Sequence, residues 1–387
     1  MSSPITDPIT LARSEKLIAL IRQEIESAGG YISFARFMEL ALYAPELGYY
    51  SAGSDIFGHS GDFITAPLIS PLFTHCIARQ FQEILAELNQ ADILEIGAGS
   101  GVFAKDVLLE LEKLGTIPQH YFIYEISASL RGQQQALLQS ACPHLLSRVQ
   151  WLDELPQEFS GIIFANEVLD ALPVNCFHVE EESVKERSVV WDNDKKQFQW
   201  QLTVPDSAFA KRLEDIRGEF SLPLGYESEI NFSLSEYIAK LAKILKKGII
   251  LFFDYGYGRR EYYHPDRMQG TLMCFYQHRG HDNPLVNVGL QDITAHVDFT
   301  SVVESAVGCG LSLAGYTTQA GFLLACGLLE LAEQRADSAI DQYQQSQAIK
   351  KLTLPAQMGE LVKVMALSKD FNSPLIGFSL LDRRRDL

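Results

Sequence analysis

The chain has 387 residues, 47% of them hydrophobic and 21% charged, which is enough to bury a sizeable core without disulfide or metal staples. At roughly 150 residues per domain, two or three structural units are expected. The formal net charge of -17 argues against a nucleic-acid or anionic-membrane binder, since either would carry a basic face.

The first ~90 residues read as helical. Leu17, Ile18, Ile21, Ile25 and Ala28 recur at three- and four-residue steps until Gly29-Gly30 stops them. Ser33 is placed to cap a second helix carrying Phe34, Phe37, Met38, Ala41 and Leu42, and a third follows over roughly 70–89. From residue 90 short apolar runs take over: Ile93–Ile96, Tyr121–Glu125, Val149–Leu152, Gly161–Ala165 and Gly248–Phe253. Such runs suit parallel strands covered on both faces, and helical stretches separate several of them. The fold class expected is therefore α/β, a Rossmann-like doubly wound sheet.

The expected division is a helical N-terminal region with an active-site loop (1–89), the first half of the core (90–175), an inserted hairpin-bearing subdomain (176–232), and the second half (233–387). An irregular stretch over 256–300 interrupts the last of these. The uncharged segment Ser305–Leu329 is long enough to span a bilayer but holds five glycines and the polar run Tyr316-Thr317-Thr318-Gln319. A buried strand and a buried helix are expected there, with no membrane insertion. The six cysteines form no CxxC pair, and the N-terminus shows neither a secretory nor a mitochondrial address, so a cytoplasmic protein is expected.

The strongest local signal is Asp92-Ile93-Leu94-Glu95-Ile96-Gly97-Ala98-Gly99-Ser100-Gly101. It runs from a strand through an acid into three glycines at alternate positions and opens a helix. Glycines allow close backbone approach to a ligand, and the helix N-terminus offers free N–H groups. Dinucleotide folds place the third glycine where Val102 stands, whereas GxGxG after Glu95 is the arrangement of S-adenosylmethionine (SAM) methyltransferases. A ligand-free tight turn is the bland alternative.

Glu125, at the end of the next strand, is placed to accept ribose hydroxyls, and Leu152 with Asp153 to flank an adenine. The fourth strand delivers Asn166, Glu167 and Asp170 directly after the apolar GIIFA, and helix capping explains one of these but not all three. Cys274, His278, His281 and His296 lack the paired spacing of a structural zinc site, so no metal is expected. No serine-hydrolase elbow fits the glycine loop either.

These motifs, together with FMELALYAPELGYY (37–50), GDFITAP (61–67), Asp254-Tyr255-Gly256 and DITAHVDF (292–299), make the chain resemble the MidA/NDUFAF7 family of SAM-dependent methyltransferases. The resemblance covers most of the chain. It implies SAM as cofactor, bound through Glu95, Gly97, Gly99, Gly101, Glu125, Leu152, Asp153 and Asn166. It also implies a protein substrate bearing an acceptor arginine, and, for mitochondrial members, a role in respiratory complex I assembly.

Guanidinium is cationic and a poor nucleophile until carboxylates grip it and take up a proton. Glu167, Asp170 and Asp62 are the candidates for that grip, with Glu229 in reserve. Asp254-Tyr255 is expected to line the acceptor channel, and Asp292–Phe299 to form either a lid or acceptor wall or a packed connector. A small-molecule acceptor, or an assembly factor that merely keeps the fold, is the alternative.

Overall fold

In the computed structural model, which describes residues 7–52, 65–89, 91–277, 279–334 and 339–387, the apolar runs become a mixed eight-stranded sheet. Its main strands are β1 (Asp92–Ile96), β2 (Tyr121–Tyr124), β3 (Val149–Leu152), β4 (Phe159–Asn166), β5 (Leu245–Tyr257), β6 (Ser312–Thr318) and β7 (Val362–Lys369). They lie in the order β3-β2-β1-β4-β5-β7-β6, and the two-residue strand Val297–Asp298 pairs with the end of β5. β1 to β5 pair in parallel, and β7 runs antiparallel to both its neighbours.

Alternation along each strand sends side chains to both faces. Ile93, Ile162, Phe164, Ile249 and Leu251 pack under the helices Pro71–Leu88 and Val102–Lys113. Leu94, Ile163, Ile250 and Phe252 pack under Ser233–Ile244 and Phe299–Gly308. Gly161 shows how close the backbones come, for a Cβ there would sit 2.0 Å from the Asp92 carbonyl oxygen.

The capping expected of Ser33 is present: its Oγ accepts the Arg36 N–H at 3.2 Å, opening the helix Phe34–Tyr43. Val184–Asp192 and Gln197–Thr203 form an antiparallel hairpin, in a five-stranded sheet with Asn175–Val179, Glu227–Ile230 and Ile32–Ser33. That last strand comes from the N-terminal region. Leu17, Ile21, Phe34 and Phe37 consequently share one core with Val189 and Phe198.

The uncharged segment folds as β6 followed by the helix Gln319–Ala325. Among the described residues, no helix is long and apolar enough to cross a membrane.

Candidate functional site

The strand order reverses between β1 and β4, and the C-terminal ends of β1, β2 and β4 open there into a cavity of about 320 Å³. Such a switch point is where open α/β sheets leave a crevice for ligands. Gly97 and Gly99 line it with left-handed backbones (φ 68° and 52°), a conformation that costs any residue with a side chain. Glu95 lies on its floor and accepts the Tyr121 hydroxyl at 2.7 Å, while burial pushes its carboxyl up to about 8.

Glu125 follows β2, is buried, and accepts the Ser127 N–H at 3.0 Å. Desolvation raises its pKa, and the hydrogen bonds from the Ser127 backbone and Gln134 oppose the rise. Gln134, on the helix Ala128–Ala141, is fully buried and ties this end together. Its Nε2 donates to the Gly99 carbonyl at 2.9 Å and to Glu125 at 3.3 Å, and its Oε1 accepts the Trp151 indole N–H at 2.9 Å. Nothing local in the sequence marks Gln134, because its partners sit 9, 17 and 35 residues away.

The remaining cofactor candidates divide. Asn166 lines the cavity. Gly101 does not. It stands behind the wall as the left-handed cap (φ 79°) of Val102–Lys113, where a Cβ would press on Gln134 at 3.0 Å. Leu152 and Asp153 do not line the cavity either. The Arg131 guanidinium donates to the Leu152 carbonyl and pairs at 2.6 Å with Asp153, whose side chain is 90% exposed.

The other end of the cavity is acidic. Glu167, Asp170 and Asp292 line it, and Asp292 arrives on the short strand Asp292–Thr294. Tyr50 donates its hydroxyl to Asp292 Oδ1 at 2.7 Å and stacks on Tyr43 at 5.6 Å between ring centroids. Tyr43 in turn donates to the Ala171 carbonyl at 2.9 Å. Burial, with the charge of Asp254 added, pushes Glu167 up to about 8 and holds Asp170 well above the usual carboxylate range. Counting Glu95 and Glu125, five carboxylates line the cavity, and no Lys, Arg or His does so among the described residues.

Several expectations are corrected here. Asp254 does not line the channel; it is 1% exposed and lies behind it. Glu229 belongs to a second cavity, of about 220 Å³, and accepts the backbone N–H groups of Thr271 and Leu272. Asp62 and His278 lie outside the described residues. The Asp292–Phe299 block is half wall, half connector: Asp292 and Thr294 line the cavity, while Val297 and Phe299 are core. Cys274 pairs in register with His281, and no group of three metal-ligating side chains occurs among the described residues.

Comparison with known proteins fixes the class of molecule that this site defines. Residues 76–317 match the model of a family of S-adenosyl-L-methionine-dependent methyltransferases, and the chain belongs to that family. A solved structure from Burkholderia thailandensis, bound to S-adenosyl-homocysteine, is 40% identical over 100% of both chains with a TM-score of 0.95.

The mitochondrial protein arginine methyltransferase NDUFAF7 homolog of Drosophila melanogaster is 28% identical over 98% of this chain and 93% of its own length. Human mitochondrial NDUFAF7 is 27% identical over 98% and 92%. The mitochondrial labels of these relatives overturn the cytoplasmic expectation drawn from the N-terminal sequence. The chain is thus a SAM-dependent methyltransferase. An acidic, glycine-cradled cavity at the switch point suits a cofactor with a sulfonium and an ammonium group.

Proposed function

We propose that this enzyme transfers methyl groups to the guanidinium of an arginine side chain in a protein. The observation that carries the proposal is the charge of the cavity, with five carboxylates and no basic side chain among its described lining residues. Burial raises the pKa of Glu95, Glu125, Glu167 and Asp170 because their ionised forms lack a counter-ion, and a cationic ligand is what would stabilise those forms. S-adenosylmethionine supplies a positively charged sulfonium and an electrophilic methyl group. The second cation is the acceptor.

In this reading Glu125 accepts the ribose hydroxyls, and the backbone at Gly97 and Gly99 closes on the methionine part, with Glu95 and Asn166 beside it. Glu167 and Asp170 grip the guanidinium through paired, charge-assisted hydrogen bonds. Their grip presents one nitrogen to the methyl, and Glu167 takes the proton released as the N–C bond forms. Tyr43 and Tyr50 wall the acceptor end, and Tyr50 holds Asp292 in place.

The test is transfer of labelled methyl from SAM into protein, followed by acid hydrolysis and separation of the amino acids, with complex I subunits as the first acceptors tried. Label in methylarginine supports the proposal. Label in small molecules, in another side chain, or nowhere despite SAM binding would overturn it. On the cofactor side, Gln134→Ala removes the two hydrogen bonds that order Gly99 and Glu125. It should weaken SAM binding by about 5- to 30-fold, read by titration calorimetry, since one such bond is worth about 1 kcal/mol and two about 2 kcal/mol.

A further inference from the structure

We infer that Asp254 is a positioning residue, the clamp that holds the turn bearing Glu167 and Asp170 over the cavity. This rests on the acceptor roles given above to those two residues. Asp254 lies on β5 one residue past Phe253, which pairs in register with Asn166, the last residue of β4. The chain leaving β4 turns directly above it.

Asp254 Oδ2 accepts three consecutive backbone N–H groups of that turn, from Val168 at 3.0 Å, Leu169 at 2.7 Å and Asp170 at 3.4 Å. Its Oδ1 accepts the Tyr255 N–H at 2.8 Å, and Asp254 is buried behind the cavity rather than lining it. A fifth bond ties the turn to the same strand, from the Glu167 N–H to the Phe253 carbonyl at 2.8 Å.

The turn needs such a clamp. Glu167 has φ 54°, a left-handed backbone that a residue with a side chain adopts only when its surroundings impose it. Charge-assisted bonds from three adjacent amides to one oxygen are strong enough to impose it. The groups that share this end with Asp254 are Glu167, Asp170 and Asp292, with Tyr237 and Tyr255. Its charge also raises the pKa of both Glu167 and Asp170.

Asp254→Asn keeps the size of the side chain but turns an NH2 group toward one set of N–H donors and removes the charge. With a protein lysate as acceptor and saturating SAM, the rate should fall about 10²-fold, the usual consequence of a reacting group displaced by about 1 Å. SAM affinity by calorimetry should stay within about threefold, because Asp254 does not line the cofactor end. The acid limb of the pH–rate profile should move to lower pH, because Glu167 and Asp170 ionise more easily without the neighbouring charge. A role in stability alone would leave the rate per folded molecule near wild type, so the rate is compared at matched amounts of folded protein.

A crystal structure of D254N should show Glu167 out of its left-handed conformation, and this readout needs no acceptor, so it survives a failure of the arginine proposal. An unmoved acid limb, or Glu167 unchanged in the crystal, would overturn the inference. Should D254N fail to fold, Asp254→Glu keeps the charge while shifting the carboxylate by one methylene. It should lose rate with the acid limb unmoved, and full activity would refute the clamp.

Discussion

Glu167→Gln should lower kcat by about 10²- to 10⁴-fold, the range for loss of a general base, while SAM affinity changes by no more than a few-fold. The carboxylate stands at the acidic end of the cavity with Asp170 and Asp292, and its pKa is pushed up to about 8 by desolvation and the charge of Asp254. In the unliganded protein at neutral pH it therefore holds a proton, which an arriving guanidinium displaces by pairing with the ionised form. Wild-type activity should rise with pH through neutrality, and the glutamine variant should keep only a flat, low rate across the same window.

Stability should carry the same signature with a definite sign. A carboxyl whose folded pKa exceeds its unfolded value stabilises fully below about 4.5, and that contribution is lost as pH rises through about 8. Glutamine mimics the protonated form. The variant should thus melt above wild type at pH 8.5, and the two curves should meet near pH 4. A variant that keeps normal activity would remove Glu167 from the chemistry, and one that melts below wild type at pH 8.5 would contradict its raised pKa.

The parallel half of the sheet was legible because its strands are buried on both faces, and runs such as GIIFA and IILFF then need no partner to be recognised, whereas the antiparallel β7 (Val362–Lys369) was not read from the sequence. The glycine loop and the Asn166–Asp170 turn were legible for a related reason: each is a short departure from apolar strand chemistry at a strand end. What pairs with them was not. Tyr50 and Asp292 are 242 residues apart, and only the packing of the N-terminal helices against the inserted sheet brings them together.

Asp153 does not line the cavity, and the apolar-then-acid pattern at a strand end could not show the exposed ion pair it makes with Arg131. Asp254 was legible as an acid at the crevice, but the difference between lining a channel and clamping the turn behind it lies in three backbone bonds. The N-terminal helices were read as a region of their own, yet the strand Ile32–Ser33 joins them to the inserted sheet.

Gly99→Val should abolish detectable SAM binding, a loss of at least about 100-fold in affinity, while the protein still folds. Two effects combine. The left-handed backbone at Gly99 (φ 52°) costs an L-residue about 1–2 kcal/mol, and a β-branched side chain is among the least tolerant of it. Gly99 also lines the cavity, where a glycine lets the cofactor approach the backbone closely. The loop cannot simply move aside, because the Gly99 carbonyl is held by the buried Gln134, which also holds Glu125 and Trp151.

The fold should survive because β1, the helix Val102–Lys113 and their core partners make their contacts without Gly99. Calorimetric titration with SAM alongside a thermal melt separates the outcomes. No binding with a melting temperature within a few degrees of wild type fixes the glycine loop as the cofactor cradle. Micromolar binding retained by the variant would instead place the cofactor deeper, against the Glu167 end, and the division of the cavity into cofactor and acceptor halves would have to be reversed.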